Sequence, residues 1–170
     1  REIAASISRG DIPGAVVRIE SKGEVYEKAY GKRLVSPGTE AMTTDTVFDL
    51  ASLTKVMATA PSILKLLGEG KLSLDDPVAK WIPEFLSGGV RPEAAEPVPL
   101  PEDRAGITVR QLLSHCSGLP PGIFLSEGDF WGHGEGVRRA ATVGLLEKPG
   151  TRFRYSDVNF FLLQKIAETL

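Results

Sequence analysis

The sequence has little of several features that define common protein classes. One cysteine, Cys116, excludes an intrachain disulfide framework, so cysteine usage says nothing about the redox compartment. No apolar run approaches the roughly 20 residues of a membrane span. Neither sign of charge is in large excess, since 20 Lys+Arg stand against 22 Asp+Glu. This balance excludes the electrostatic footprint that is typical of proteins that bind nucleic acids or anionic membrane surfaces.

What is present fits a globular domain with a core of its own. The 170 residues are 42% hydrophobic and 25% charged, close to the averages for folded domains. The last helical pattern runs to Leu170 without a glycine, a proline or another stop signal. We therefore expect the sequence to be a piece of a longer protein.

Strand and helix patterns divide the chain into two parts. A β-rich run, a Ser-Lys-Gly turn and a second run predict a hairpin over Ile12–Tyr30, and Thr46–Leu50 reads as a short strand or extended entry. From Ser52, apolar residues follow i, i+3, i+4, i+7 spacing up to the glycine at 68, which predicts an amphipathic helix. Pro61 lies inside this pattern and predicts a kink. Residues 1–50 would thus hold the first sheet strands, and residues 51–170 a mostly helical region.

Further along, short helices alternate with loops. Residues 87–106 hold four prolines and little apolar content, which favours an extended surface loop. Thr108–Gln111 matches a capping box before a short helix. The glycine-rich residues 128–136 predict a loop that leads to a helix near Val137–Glu147, and a last helix is expected to begin near Asp157. The fold class predicted is α+β.

Two Ser-x-x-Lys tetrapeptides are candidates for nucleophilic catalysis. On a helix, residues three apart share a face, so a lysine amine reaches the serine hydroxyl and activates it for attack. Ser52 and Lys55 stand at the start of a helix, where backbone N–H groups and the helix dipole favour a developing oxyanion. Ser62 and Lys65 lie within the helix, which disfavours them. Taken alone, Ser52 and Lys55 also fit an ordinary helix cap followed by a solvated lysine.

Four segments follow one another along the chain. They are Phe48-Asp49-Leu50-Ala51-Ser52-Leu53-Thr54-Lys55, then Gly70-Lys71-Leu72-Ser73-Leu74-Asp75-Asp76-Pro77-Val78, then Gln111-Leu112-Leu113-Ser114-His115-Cys116-Ser117-Gly118-Leu119-Pro120, then Pro149-Gly150-Thr151-Arg152-Phe153-Arg154-Tyr155-Ser156-Asp157. In this order they resemble the serine β-lactamase and penicillin-binding-protein superfamily, and most closely its branch of class C β-lactamases, esterases and D-amino-acid peptidases. The resemblance covers nearly the whole chain.

The resemblance implies a fold, a reaction and a set of site residues. The fold is a β-lactamase-like α/β sandwich, an antiparallel sheet flanked by helices, here truncated before the later strands and the closing helix. Ser52 is the acylated nucleophile, with its N–H as half of an oxyanion hole. Lys55 is its proton partner, and Tyr155 bonds the nucleophile and protonates the leaving group. The reaction is acyl transfer to water from an amide, ester or β-lactam substrate, with no metal or organic cofactor. It also implies export to the periplasm or the extracellular space.

Two departures from the family pattern leave alternatives open. Asp157 stands where the family's Tyr-x-Asn motif has an amide that bonds lysine and substrate. It either pairs with Lys55 and holds it protonated, or serves only as the N-cap of the last helix. The family's Lys/His-Thr/Ser-Gly motif, which supplies the other oxyanion donor and grips the substrate carboxylate, has no counterpart in these residues, which fits truncation. A catalytically silent penicillin-binding-like module that senses or binds a ligand is the alternative function.

His115 beside Cys116 offers at first sight a metal or thiol site. With two histidines and one cysteine in the sequence, the spacing matches no set of zinc ligands. The family often has His-Thr-Ser-Gly at this place. We therefore interpret His115 as a structural hydrogen-bonding residue.

Overall fold

Two units make up the chain, Arg1–Leu50 and Ala51–Leu170. The structure is a computed structural model that describes residues 1–89, 102–123 and 131–170. Most of the predicted loop at residues 87–106, and the glycine at 128, lie outside the described residues. Among the residues described, no helix combines the length and the apolar character needed to cross a bilayer.

A helix and a small antiparallel sheet form the first unit. Helix α1 spans Glu2–Arg9, and the strands are β1, Gly14–Ser21, β2, Glu24–Leu34, and β3, Glu40–Ala41, in the order β1-β2-β3. Lys22 and Gly23 both have positive φ, 51° and 83°, the conformation that a two-residue hairpin turn requires. The hairpin prediction is confirmed. Helix α1 was not foreseen, and residues 46–50, expected to form a short strand or an extended entry, are not part of a strand.

The second unit begins with a helix that changes its winding. Residues 53–54 are α-helical, Lys55–Thr59 form a π-helical turn, and α2 covers Ala60–Gly68. The Ala60 N–H donates to the carbonyl of Lys55, five residues back. Because Pro61 has no N–H, the carbonyl of Met57 cannot receive its α-helical hydrogen bond. The irregularity expected at Pro61 thus takes the form of a wide turn just before it, and such turns are frequent at functional sites.

Short helices and one long one complete this unit. Two 3₁₀ helices lie at Val78–Lys80 and Pro83–Ser87, and the α-helices are α3, Glu102–Ala105, α4, Val109–Leu113, α5, His133–Thr142, and α6, Asp157–Thr169. The capping box is confirmed, because the Thr108 and Gln111 side chains each accept from the other's backbone N–H. Two loop predictions are wrong: α3 lies inside residues 87–106, and α5 begins at His133 within the glycine-rich stretch.

The core of the second unit joins α2, α4, α5 and α6 to the 3₁₀ helices. Its fully buried apolar side chains come from all of these elements and from the connections at positions 82 and 107: Ile63, Val78, Ile82, Phe85, Ile107, Val109, Leu112, Ala140, Ala141, Val158, Leu162, Leu163 and Ile166. Burying this apolar surface is the main force that holds the helices together. It fixes the beginning of α6 relative to the turn that follows Ser52.

One arginine is buried in this core and is hydrogen-bonded to the backbone. Arg104 is 2% exposed, and its guanidinium donates to three backbone carbonyls, of Phe85 at 2.8 Å, Val143 at 2.5 Å and Ala141 at 2.6 Å. Burial lowers the pKa of Arg104 to about 10, so the group stays charged at neutral pH. Three charge-assisted hydrogen bonds to carbonyls compensate its desolvation.

We expect Arg104→Gln to lower the free energy of unfolding by at least about 3 kcal/mol, because buried carbonyls lose their donors. Urea denaturation measures the change. Arg110→Gln is the matched control, since Arg110 pairs with Asp75 at the surface, where such a pair is worth about 1 kcal/mol or less. Equal effects of the two substitutions would contradict a structural role for the buried guanidinium.

Candidate active site

The first Ser-x-x-Lys motif brings its two side chains together. Ser52 precedes the helical turn that carries Lys55, and the Lys55 Nζ lies 3.2 Å from the Ser52 Oγ, to which it donates. Ala51, immediately before Ser52, has a φ of 43°, in the left-handed region that residues other than glycine seldom adopt. Such backbone conformations cluster at functional sites. The chain therefore turns sharply just before the serine.

The second motif does not form a pair. The Ser62 hydroxyl donates to the carbonyl of Ala58, one helical turn back, at 2.9 Å. Lys65 instead forms an ion pair with Glu69, which lies four residues further on. The geometry therefore separates the two tetrapeptides, and only Ser52 has a lysine ammonium at its oxygen.

Asp157 lies on the other side of the same ammonium. Its Oδ1 accepts a hydrogen bond from the Lys55 Nζ at 2.6 Å. The Lys55 side chain is 14% exposed, whereas that of Asp157 is 50% exposed. The ammonium thus bridges the Ser52 hydroxyl and a carboxylate that reaches solvent. It also lies 5.0 Å from the ring centroid of Tyr155 and 5.6 Å from that of Phe160, within the range of cation–π attraction.

The surroundings shift the pKa values of Lys55 and Tyr155 in opposite directions. Burial by itself lowers the pKa of Lys55, but the hydrogen bonds with Asp157 and Tyr155 and their charges outweigh it, so the pKa is raised. Hydrogen bonds with Lys55 and then Ser52 lower the pKa of Tyr155, against desolvation and the charge of Asp157. Lys55 therefore stays an ammonium at neutral pH, while the Tyr155 phenol is a stronger acid than an ordinary tyrosine.

The start of α6 settles the two roles left open for Asp157. The N-cap is Ser156, whose Oγ accepts from the Asn159 N–H at 3.3 Å and donates to the Pro120 carbonyl at 2.6 Å. Asp157 is the first helical residue, so the interpretation as a cap is wrong and the pairing with Lys55 is present. A carboxylate in the first turn also interacts favourably with the helix dipole.

A buried polar network behind Tyr155 was only partly foreseen. His115, interpreted from the sequence as a structural hydrogen-bonding residue, accepts at Nδ1 from the Ser156 N–H at 3.1 Å. Asn159 is fully buried, and its Oδ1 accepts from the Ser117 hydroxyl at 2.6 Å. The sequence analysis missed Asn159. The available signal was its spacing, since it shares the apolar face of α6 with Leu162 and Leu163.

No metal-binding cluster forms in the part of the chain that the structure describes, where no three metal-ligating side chains converge. Cys116 is half-buried, and its Sγ contacts the Ser114 carbonyl at 3.4 Å. The chemistry available here is that of a serine hydroxyl, an ammonium, a phenol and a carboxylate.

A comparison with protein families gives this arrangement a context. The family model described as Beta-lactamase matches residues 1–170. The chain belongs to the beta-lactamase family. The resemblance read from the four ordered segments is thus confirmed, and the α+β fold prediction is confirmed by solved structures of this family.

Three relatives illustrate the range of the family. The N-acetylmuramyl-L-alanine amidase of Bacillus subtilis (strain 168) is 32% identical over 183 residues, which cover 100% of this chain and 38% of that protein. The structure of a D-amino acid amidase from Ochrobactrum anthropi SV3, complexed with L-phenylalanine, matches with a TM-score of 0.71 and 26% identity, over 98% of this chain and 42% of its own. The structure of a class C beta-lactamase matches with a TM-score of 0.67 and 26% identity, over 97% of this chain and 41% of its own.

These relatives are hydrolases by name, and each is much longer than this chain. The chain spans about two fifths or less of the length of the curated relatives that it matches. The comparisons establish the family and the fold of the chain.

We expect Ser156→Ala to destabilise the protein by about 2 kcal/mol, because it removes an N-cap acceptor together with a buried hydroxyl that donates to a carbonyl. Asp157→Asn should change stability by no more than about 1 kcal/mol, because it alters a half-exposed pair and leaves the cap intact. Chemical denaturation of the two variants side by side tests this. The reverse order would mean that Asp157 caps the helix in solution.

Proposed function

We propose that the protein is a serine hydrolase that transfers an acyl group to water through a Ser52 ester. One observation carries the proposal: the Lys55 ammonium bridges the Ser52 Oγ at 3.2 Å and the Asp157 Oδ1 at 2.6 Å, beside the Tyr155 ring. A nucleophilic serine needs a neighbouring group that orients it and takes its proton. The amidase and β-lactamase relatives support the same class of reaction.

Tyr155 is the base in this mechanism. Because the pKa of Lys55 is raised, the amine holds its proton and is a poor acceptor; because that of Tyr155 is lowered, the phenolate is more accessible. The phenolate takes the proton of the Ser52 hydroxyl as its Oγ attacks the substrate carbonyl. The carbonyl π bond becomes an oxyanion, which the Ser52 N–H stabilises as one donor.

The remaining steps return the proton. The oxyanion collapses, the bond to the leaving nitrogen or oxygen breaks, and the Tyr155 hydroxyl protonates that atom. The acyl group is now an ester on Ser52. The oxygen of a water molecule then bonds to the acyl carbon while the water gives one proton to the Tyr155 phenolate. The bond between the acyl carbon and the Ser52 Oγ breaks, the Tyr155 hydroxyl returns the proton to Oγ, and a carboxylic acid leaves. Lys55 remains charged throughout and stabilises the phenolate.

The substrate class that we propose is an amide, an ester or a β-lactam. Asp157 adds a constraint, because half of its side chain is exposed next to the reacting serine. A carboxylate at this point disfavours a substrate carboxylate there by repulsion. Neutral acyl groups are therefore expected to react faster than acyl groups with an acidic substituent near the carbonyl.

The first test is covalent labelling with a fluorophosphonate. The reagent should label the peptide that contains Ser52, and Ser52→Ala should abolish the label because the nucleophile is gone. Ser62→Ala is the matched control and should label like the wild type, since the Ser62 hydroxyl is bonded to the Ala58 carbonyl. A label that survives Ser52→Ala would contradict the assignment. Labelling of Ser52 without turnover of any ester or amide would favour a ligand-binding module.

The second test is the pH dependence of labelling. Tyr155→Phe should slow labelling at Ser52 about 10²–10⁴-fold, as expected when a general base is removed.

Asp157→Asn should shift the acidic limb of the labelling rate profile to lower pH. The negative charge of Asp157 raises the pKa values of both Lys55 and Tyr155, so its removal should lower both. Asp75→Asn, at a surface pair remote in sequence from the site, should leave the limb in place. A limb unmoved by Asp157→Asn would show that this carboxylate does not act on the reacting groups.

A further inference from the structure

His115 holds the backbone on both sides of Tyr155. Its carbonyl accepts from the Arg154 N–H at 2.8 Å, and its ring Nδ1 accepts from the Ser156 N–H at 3.1 Å. Arg154 and Ser156 are the two chain neighbours of Tyr155. A single residue, 41 positions away from Ser156 in sequence, thus fixes the segment that carries the phenol.

The His115 ring also packs on the phenol ring itself. The ring centroids of His115 and Tyr155 lie 4.7 Å apart with the planes tilted by 33°. Phe160 lies at 5.2 Å and Phe153 at 5.8 Å, the latter edge-on. These are distances at which aromatic pairs attract one another. The imidazole therefore restricts the tilt of the Tyr155 ring as well as its backbone.

This arrangement requires one tautomer of His115. An N–H donates only, so the Nδ1 that faces Ser156 must be unprotonated, and the proton of the neutral ring lies on Nε2. The Asn159 Nδ2 lies 3.2 Å from the same Nδ1, while its Oδ1 accepts from Ser117. Burial, and then the Lys55 charge, lower the pKa of His115, and Asp157 opposes this only in part. The neutral ring is thus the form favoured by its surroundings.

We propose that His115 is a positioning residue for the reaction: it holds the Tyr155 phenol in place against Ser52 and Lys55 through the two backbone hydrogen bonds and the ring contact. The inference rests on the proposed function of Tyr155 as the base. His115 does not touch the reacting atoms, and it acts through Tyr155. General bases lose much of their effect when they are displaced by about 1 Å, which costs on the order of 10²-fold in rate.

The backbone conformation of His115 suggests which variants separate the hydrogen bond accepted by its Nδ1 from the contact between its ring and Tyr155. Its φ is 56°, in the left-handed region, where asparagine and histidine are tolerated better than most residues. In His115→Asn the amide oxygen stands near the place of Nδ1, so the acceptor is kept and the ring is lost. In His115→Phe the ring is kept and the acceptor is lost.

The test measures the second-order rate of fluorophosphonate labelling at Ser52 and the kinetics of ester hydrolysis, with thermal unfolding as a check that each variant folds. We expect His115→Phe to slow labelling at least about tenfold and His115→Asn to retain more of the rate, because the acceptor holds the backbone. In ester hydrolysis kcat should fall while KM stays near its wild-type value, since the substrate site is untouched. Wild-type rates in a folded His115→Phe variant would overturn the positioning role.

A double-mutant cycle with Tyr155→Phe makes the test specific. If His115 acts through Tyr155, then adding His115→Phe to Tyr155→Phe should cause no further loss of labelling rate. Equal losses in both backgrounds would show that the effect is a general structural one and would overturn the proposal. Absence of any label on Ser52 in the wild type would instead refute the proposed function, and the positioning role with it.

Nitrogen-15 NMR of the wild-type imidazole gives a measurement that does not depend on activity or on a variant that folds. At neutral pH we expect the His115 ring to be neutral with its proton on Nε2, a form that the nitrogen chemical shifts distinguish from the other tautomer and from the charged ring. A proton on Nδ1 would break the hydrogen bond from the Ser156 N–H. That result would overturn the proposal even if the site is catalytic.

Discussion

The Lys55 ammonium is the group on which the rest of the site depends. Its side chain is 14% exposed, and a charge so far removed from water is costly unless it is paired and hydrogen-bonded. Asp157 supplies the opposite charge at 2.6 Å, and Ser52 supplies an acceptor at 3.2 Å. Both partners have to be held in place, which ties the beginning of the π-helical turn to the beginning of α6. The core side chains Ile63, Val158 and Leu162 on these helices provide that rigidity.

The same charge lowers the pKa of the neighbouring Tyr155 phenol. An ammonium next to a phenol lowers the pKa of the phenol, and the hydrogen bond with Tyr155 and its charge in turn raise the pKa of the amine. Tyrosine at its ordinary pKa of about 10 is a poor base at neutral pH. On the proposed mechanism, Lys55 keeps its proton, and Tyr155 accepts and returns one. The carboxylate at Asp157 favours the charged amine, and its negative charge opposes the lowering of the Tyr155 pKa, which Lys55 brings about.

Local patterns in the sequence predicted local structure well. The hairpin follows from its turn residues Lys22 and Gly23, the start of α4 from Thr108, and the Ser52–Lys55 contact from helical spacing. Each of these involves residues within a few positions of one another. The four ordered segments also identified the family and the class of fold, since the matching residues are themselves local motifs.

The features that sequence reasoning missed have one of two physical causes. Some features depend on a choice between neighbouring residues that suit the same role. Serine and aspartate cap helices about equally well, so only the structure shows that Ser156 is the N-cap of α6. Others depend on distant parts of the chain: the contacts of His115 with Ser156 and of Ser117 with Asn159 join residues more than 40 positions apart. In the glycine-rich stretch, weak local helix propensity was overridden by the burial of Val137, Ala140 and Ala141 on α5.

The exchange of an amide for a carboxylate at Asp157 has a further consequence for recognition. An amide both donates and accepts hydrogen bonds, so it can bond an ammonium and a substrate carbonyl together, whereas an ionised carboxylate only accepts. One oxygen of Asp157 is bonded to Lys55, and the side chain is half exposed. Its second oxygen therefore suits a substrate N–H or a positive group, and it cannot hold a substrate carbonyl by hydrogen bonding. On the proposed mechanism, the residue that keeps Lys55 charged also selects which side of an amide or ester substrate faces the start of α6.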